Sequence, residues 1–241
     1  MPTSILQNEQ KHLDRTVAPI KEQLSKTEQE LIDLMQTYEQ GIKTLATDGS
    51  SLEEKMEEIG DLNKMMKSQA YNYKKNVILK RLKDQVSKPY FAKIDFKEKS
   101  ENEATSYYIG RFAHYDKEPQ YHVVDWRAPL ASIYYNHNEP INNVSYLVNI
   151  NDDYTKTIEG DLTKRINFDI DDSKIISVYD DSLRIDLLKL RISQKSGGKL
   201  TDIVETIQEL QNQIIRSNPY KVCIVQGTAG SGKTTIAVHR L

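Results

Sequence analysis

The chain has 241 residues, 33 of them basic and 35 acidic, for a formal charge of −2. No global field draws it to nucleic acid, so any such binding has to come from a local patch. A hydrophobic fraction of 38% and a mean hydropathy of −0.64 are lean for one compact globule and suit a chain with an extended, solvent-exposed part. The length allows one or two domains with a real core. Cys223 is the only cysteine, which excludes an internal disulfide framework and a cysteine metal cluster, and the five histidines form no ligand spacing. The opening MPTSILQNEQKHLDR has no apolar signal core, and no apolar run approaches the about 18 residues of a membrane span. The expectation is a soluble, cytoplasmic protein with no membrane partner.

Residues 1–88 contain no Trp or Phe and, after Pro2, only Pro19. Leu13, Val17, Ile20, Leu24, Leu31, Leu34, Tyr38 and Leu45 follow steps of four and three, with Thr27 and Gly41 at weak seams. After ATDGSS the pattern resumes at Leu52, Met56, Ile59, Met66, Ala70, Tyr73 and Val77. Two heptad stripes joined at Asp48-Gly49 predict an antiparallel coiled-coil arm, each helix roughly 50 Å long. Ser50 or Ser51 can cap the second helix, and Pro89 stops it. Pro19 either kinks the first helix or marks its start. The plainer alternative is two helices of an ordinary bundle, which the narrow stripe and high polarity disfavour. Glu53, Glu54, Glu57, Glu58 and Asp61 lie near the turn, and Lys64 to Lys88 supply a basic root. Such runs are often solvated faces; the other reading is an acidic tip, with Asp48, Glu53 and Glu54, that meets a basic channel or a bound metal ion.

Residues 89–180 change in texture. YFAKIDFKE, SYYIGRFAHY, YHVVDWRAPLASIYY, VSYLVNI and KRINFDI are rich in aromatic and β-branched residues, with turn formers between them. They predict five or more mostly antiparallel strands. In DWRAP, Asp125 to Pro129, an Asp-x-Arg pair beside the only Trp most often means a satisfied ion pair under an aromatic lid.

Residues 181–241 predict helices and then the first strand–loop–helix of a P-loop, RecA-like α/β motor domain. DSLRIDLLKLRIS reads as a helix and SQKSGGK as a link. Ile203, Ile207, Leu210 and Ile214 mark a second helix, and VCIV suits a parallel strand buried on both faces. GTAGSGKT (Gly227, Thr228, Ala229, Gly230, Ser231, Gly232, Lys233, Thr234) fits G-x-x-x-x-G-K-[ST] at every position. Glycines let backbone N–H groups curl round phosphate oxygens, Lys233 supplies charge to the terminal phosphates and Thr234 a hydroxyl to Mg²⁺. A chance match occurs in on the order of one in a hundred chains of this length. The expected ligand is ATP with Mg²⁺. Hydrolysis needs an acidic metal ligand and a water-positioning residue as well, and these usually lie downstream of the loop. The expectation is an N-terminal part of a longer ATPase with negligible turnover by itself.

The order of parts resembles the N-terminal third of the HelD family, superfamily 1 helicase-like proteins related to UvrD and Rep. GTAGSGKT followed by TTIAVHRL is similar to the UvrD-type loop, with Thr228 where Ala or Ser is common. Gln211 stands sixteen residues before Gly227, where that resemblance places the glutamine that reads adenine; alone it reads as a plain exposed helix residue. YIGR, Tyr108 to Arg111, paired with DWRAP between hairpin and loop, looks specific to HelD. The resemblance implies a protein that binds bacterial core RNA polymerase, inserts its hairpin into the secondary channel and promotes release and recycling with ATP. DNA contact through the full-length protein is also implied. Two competing readings remain: a conventional 3′–5′ DNA helicase, and a non-catalytic interaction module.

Overall fold

The computed structural model describes residues 3–47, 60, 64, 76–150, 154–180, 209–217, 222–227 and 230–240. It is mixed α and β, with one long N-terminal helix and a six-stranded sheet. Helix α1 is Thr3–Thr47, 45 residues with Pro19 inside it, so Pro19 does not mark the helix start. Helical residues 76–87 form α2. The sheet comprises β1 (Ala92–Glu98), β2 (Thr105–Gly110), β3 (Val123–Asp125), β4 (Ile141–Asn149), β5 (Thr155–Asp171) and β6 (Lys174–Asp180). Helix α3 is Ala131–Asn136, α4 is Glu209–Ile215 and α5 is Lys233–Arg240. The predicted turn at Asp48-Gly49, the capping Ser50 and Ser51, the acidic tip and the helix predicted over DSLRIDLLKLRIS lie outside the described residues.

The 17-residue β5 is the spine of the sheet. One edge pairs antiparallel with β1, from Ala92↔Asn167 to Glu98↔Gly160. The other edge is shared, its first half taking β4 and its second half β6. Pairing is antiparallel throughout except β2–β3, which is parallel through Tyr108↔Val123, Ile109↔Val124 and Gly110↔Asp125. That register places the YIGR and DWRAP motifs side by side. It also explains Gly110: a Cβ there would lie 2.2 Å from the Pro89 carbonyl oxygen and 2.6 Å from Val123 Cγ1, so no larger residue fits between the chains.

Alternation along β1 sorts the two cores, as the period of two requires. Ala92, Ile94 and Phe96 point to a core with Ile109, Trp126, Ile133, Tyr134, Tyr135 and Leu162, covered by α3. The opposite face holds Tyr90, Tyr108, Val123, Ile166, Phe168 and Ile170 against Leu13 and Val17 of α1. Burial along the α1 stripe is complete at Leu13, Val17 and Ile20 and only partial at Leu24, Thr27 and Leu31, while Ile32 and Met35 are exposed. The first turns of α1 are thus part of the sheet's core, and the helix leaves it farther along. Lys83 Nζ pairs with Glu28 Oε1 at 2.9 Å, joining α2 to α1.

The β5–β6 turn clips both helices. Asp172 and Ser173 have φ of 45° and 61°, the left-handed pair of a tight two-residue hairpin turn. Ser173 N–H donates to the Ser87 carbonyl at 2.9 Å and its hydroxyl to the Val86 carbonyl at 2.7 Å. Gln10 Nε2 donates to the Ser173 carbonyl at 3.1 Å, and its Oε1 accepts from Ile175 N–H at 2.9 Å.

Two expectations change. ASIYY, read with the strands, is the helix α3, whose Ala131, Ile133, Tyr134 and Tyr135 are buried; core burial outweighs the strand preference of two tyrosines. VCIV is not a buried strand: residues 222–227 are unpaired in any described ladder, and Val222 and Ile224 are 94% and 82% exposed. A strand exists through its hydrogen-bonded neighbours, and none of the described strands lies beside this segment.

Candidate nucleotide site and the adjoining turn

Gly230 and Gly232 have φ of 82° and 80°, in the left-handed region where a side chain is strained. Two such residues close together turn successive N–H groups toward one concave side, the arrangement that receives anions. Lys233, at the start of α5, folds its Nζ back to donate to the Gly227 carbonyl at 2.8 Å. Gly227 and Ser231 approach closely, a Cβ on Gly227 falling 2.7 Å from Ser231 Oγ. Thr234 is exposed in the first turn of α5. Gln211, on α4, reaches the same loop: its Nε2 donates to the Ser231 carbonyl at 3.4 Å and lies 3.1 Å from the point a Gly232 Cβ would occupy. Gly227, Ser231, Gly232, Lys233 and Gln211 therefore meet at one place, with Thr234 next to Lys233 in the chain. Thr228, Ala229, Asp48, Glu53 and Glu54 lie outside the described residues. Among the described residues, no group of three or more His, Cys, Asp or Glu is placed to hold a metal ion.

The other end of α4 meets DWRAP. Asp125 Oδ1 accepts the Arg127 N–H at 2.8 Å, Ala128 N–H donates to the Asp125 carbonyl at 2.9 Å, and Trp126 N–H donates to the Gly110 carbonyl at 2.9 Å. Asp125 works as a turn former, since its charged partner is distant: Arg127 Nη1 stands 3.9 Å from Oδ2, with the Arg127 side chain 58% exposed. The aromatic lid is reversed as well. Trp126 is 1% exposed and forms the floor of the turn, edge-on to Tyr135, while the Arg127 guanidinium lies over it at 5.1 Å.

This turn directs successive carbonyls outward, and Arg216 collects them. Its Nη2 donates to the Trp126 carbonyl, and its Nη1 donates to the carbonyls of Arg127 at 2.7 Å and Ala128 at 3.0 Å. Its Nε donates to Asn212 Oδ1 at 2.7 Å. Asn212, itself 1% exposed, donates through Nδ2 to Asn136 Oδ1 at 2.8 Å at the end of α3. Ile215 packs on the Trp126 core. Burial pulls the Arg216 pKa below its ordinary value, with Tyr135 and Asp125 opposing; a guanidinium still stays cationic at neutral pH. Sequence reasoning passed over Arg216 and Asn212. A basic residue at the end of a helix reads as a partner for the helix dipole, and nothing in the spacing ties it to a turn some ninety residues earlier.

No curated protein matches the chain. No described helix is long and apolar enough to cross a membrane. The family model described as DNA helicase IV HelD, N-terminal domain, matches residues 6–196. The match takes in α1 from its fourth residue, the entire sheet, YIGR and DWRAP, and stops before α4 and the glycine loop. Covering most of the chain, it shows that the chain belongs to the HelD N-terminal domain family.

Proposed function

We propose that this chain is the N-terminal part of an ATP-dependent, helicase-like protein that engages bacterial RNA polymerase through its helical arm and promotes release of the enzyme from nucleic acid. The observation that carries the nucleotide half is the meeting of Gln211 with the Gly227–Thr234 loop, whose two left-handed glycines and Lys233 make an anion-receiving donor set. In that reading the backbone N–H groups and Lys233 hold the phosphates, Thr234 offers a hydroxyl to nucleotide-borne Mg²⁺, and Gln211 reads adenine. The Lys233 amine has only to exchange the Gly227 carbonyl for a phosphate oxygen. Support for the arm comes from α1, which is fixed on the sheet at its start and whose described side chains past Leu24 are half-buried or exposed. We take the arm to continue through an antiparallel partner to a tip at Asp48, Glu53 and Glu54, entering the polymerase secondary channel.

Binding of the chain to purified bacterial core RNA polymerase, with and without residues 1–88, tests the partner. Arm-dependent binding that survives moderate salt is expected; equal retention of both chains, or of neither, removes this reading. MgATP binding by the chain, lost at least about tenfold in Lys233→Ala, tests the nucleotide half, since one point charge on phosphate contributes on the order of 1.5–3 kcal/mol. The family's description as DNA helicase IV favours a second reading, a DNA helicase proper. Strand displacement by the full-length protein in the absence of polymerase would favour it.

A further inference from the structure

The glycine loop and the DWRAP turn are held by the two ends of one seven-residue helix. At its start Gln211 touches Ser231 of the loop, and just beyond its end Arg216 gathers the Trp126, Arg127 and Ala128 carbonyls. Between them Asn212 binds both Arg216 and Asn136. We propose that Arg216 is a positioning residue: it anchors α4 on the DWRAP turn so that Gln211 is held over the loop, and nucleotide occupancy and the turn conformation are thereby coupled.

The chemistry selects arginine. Convergent backbone carbonyls form a negative pocket that accepts donors only, and four of the five guanidinium N–H groups have acceptors there. Lysine would bring the same charge without the planar fork, and so could not span the three carbonyls and Asn212 together. The anchor is short and polar, with Ile215 as its apolar companion. A shift of α4 toward a base bound at Gln211 is therefore transmitted to the carbonyl of Trp126. Trp126 itself is buried in the core that β1, β2 and α3 share, so the sheet body that carries α1 senses the loop through this residue. This inference rests on the nucleotide reading above.

Trp126 is the only tryptophan, which makes the turn its own reporter. The experiment titrates MgATP and MgGTP into the 241-residue chain, following Trp126 emission alongside direct binding of a fluorescent adenine nucleotide. In the unsubstituted chain MgATP is expected to change the emission, and Lys233→Ala to abolish both binding and response. Arg216→Ala should keep phosphate-dependent binding but lose the Trp126 response and narrow the preference for ATP over GTP by about fivefold or more. Arg216→Lys should behave like Arg216→Ala. A normal response and preference in Arg216→Ala, or full rescue by lysine, overturns the proposal. Binding without any Trp126 response in the unsubstituted chain overturns the coupling alone, whereas no MgATP binding overturns the nucleotide reading and the coupling with it. If Arg216→Ala loses its circular-dichroism signature, Asn212→Ala carries the comparison, with a reduced response expected and an unchanged one overturning the proposal.

Discussion

The two faces of the sheet hold their helices by different means. On one face α1 docks through a closed apolar seam, Leu13 and Val17 against Tyr108, Ile166 and Phe168, with a buried ion pair beside it. On the other, α4 is tied by Ile215 and, just beyond its end, by a fan of hydrogen bonds from Arg216 to backbone carbonyls. The first attachment is continuous with the core and cannot open without exposing it. The second can open while the core stays closed. The coupling proposed for α4 needs the second kind of attachment, because a switchable contact has to come from the low-stability end of a structure.

The sharpest way to break the comparison is at Glu9. Its carboxylate accepts from Lys93 Nζ at 3.0 Å and from the Tyr108 hydroxyl at 2.8 Å, and the Lys93 and Glu9 side chains are only 15% and 10% exposed. Glu9→Ala strands a buried ammonium and a buried hydroxyl, so chemical denaturation should show a loss of about 3–5 kcal/mol. Glu9→Gln keeps one acceptor oxygen for Lys93 and places an NH2 that can donate to the Tyr108 hydroxyl oxygen, so it should lose less. A loss under about 1 kcal/mol for Glu9→Ala would mean that the α1 dock is apolar contact alone.

Arg216→Ala should contrast with it. Although Arg216 makes more hydrogen bonds than Glu9, α4 can release from the turn and let water satisfy the freed carbonyls. The cooperative unfolding of the sheet should therefore fall by no more than about 1 kcal/mol, while amide exchange quickens in α4 and at Ala128. A loss as large as that of Glu9→Ala would place α4 in the same folding unit as the sheet.

What could be read in advance follows the same division. The α1 dock was legible because it obeys a period: Leu13, Val17 and Ile20 recur at helical spacing, and all three are buried, the first two in the core shared with the sheet. The strands were legible from β-branched and aromatic alternation, save α3, where Tyr134 and Tyr135 misled. The candidate site was legible only where a motif marks it, as at the glycines of the loop, two of which take the left-handed backbone that favours glycine. Glu9, Lys93, Arg216 and Asn212 carry no such mark. Lys93, Arg216 and Asn212 stand among polar residues of their own elements, and Glu9 stands one helical step before Leu13 on the buried stripe; the importance of each arises from what a distant segment brings opposite it. DWRAP drew notice for its side chains, whereas three of its backbone carbonyls make the contact with Arg216.

A smaller effect sharpens the description of the α1 face. His12 stacks on Tyr108 with ring centroids 3.8 Å apart, and its Nε2 lies 2.9 Å from the Gln120 carbonyl. A carbonyl can only accept, so Nε2 carries a hydrogen, and Nδ1 is the nitrogen at which the ring gains its second proton. Burial lowers its pKa from 6.5, the Gln120 carbonyl and Glu9 oppose that shift, and Lys93 adds to it. Below the unfolded value the unfolded chain therefore binds the proton more readily than the folded one. The stability contributed by neutral His12 is present above about pH 6.5 and is lost as the pH falls through the folded pKa. His114 is lowered by burial too, with Asp116 opposing and His122 adding to the shift, and so gives the same sign. Comparing the chain with His12→Gln, which keeps a donor for Gln120 and does not titrate here, cancels the His114 share. The unsubstituted chain should lose stability more steeply between pH 7 and about 5.5 than the variant. Parallel profiles would mean that the ring at position 12 takes up its proton without leaving Tyr108, and that the α1 face tolerates a cation as readily as the carbonyl-lined turn on the other side.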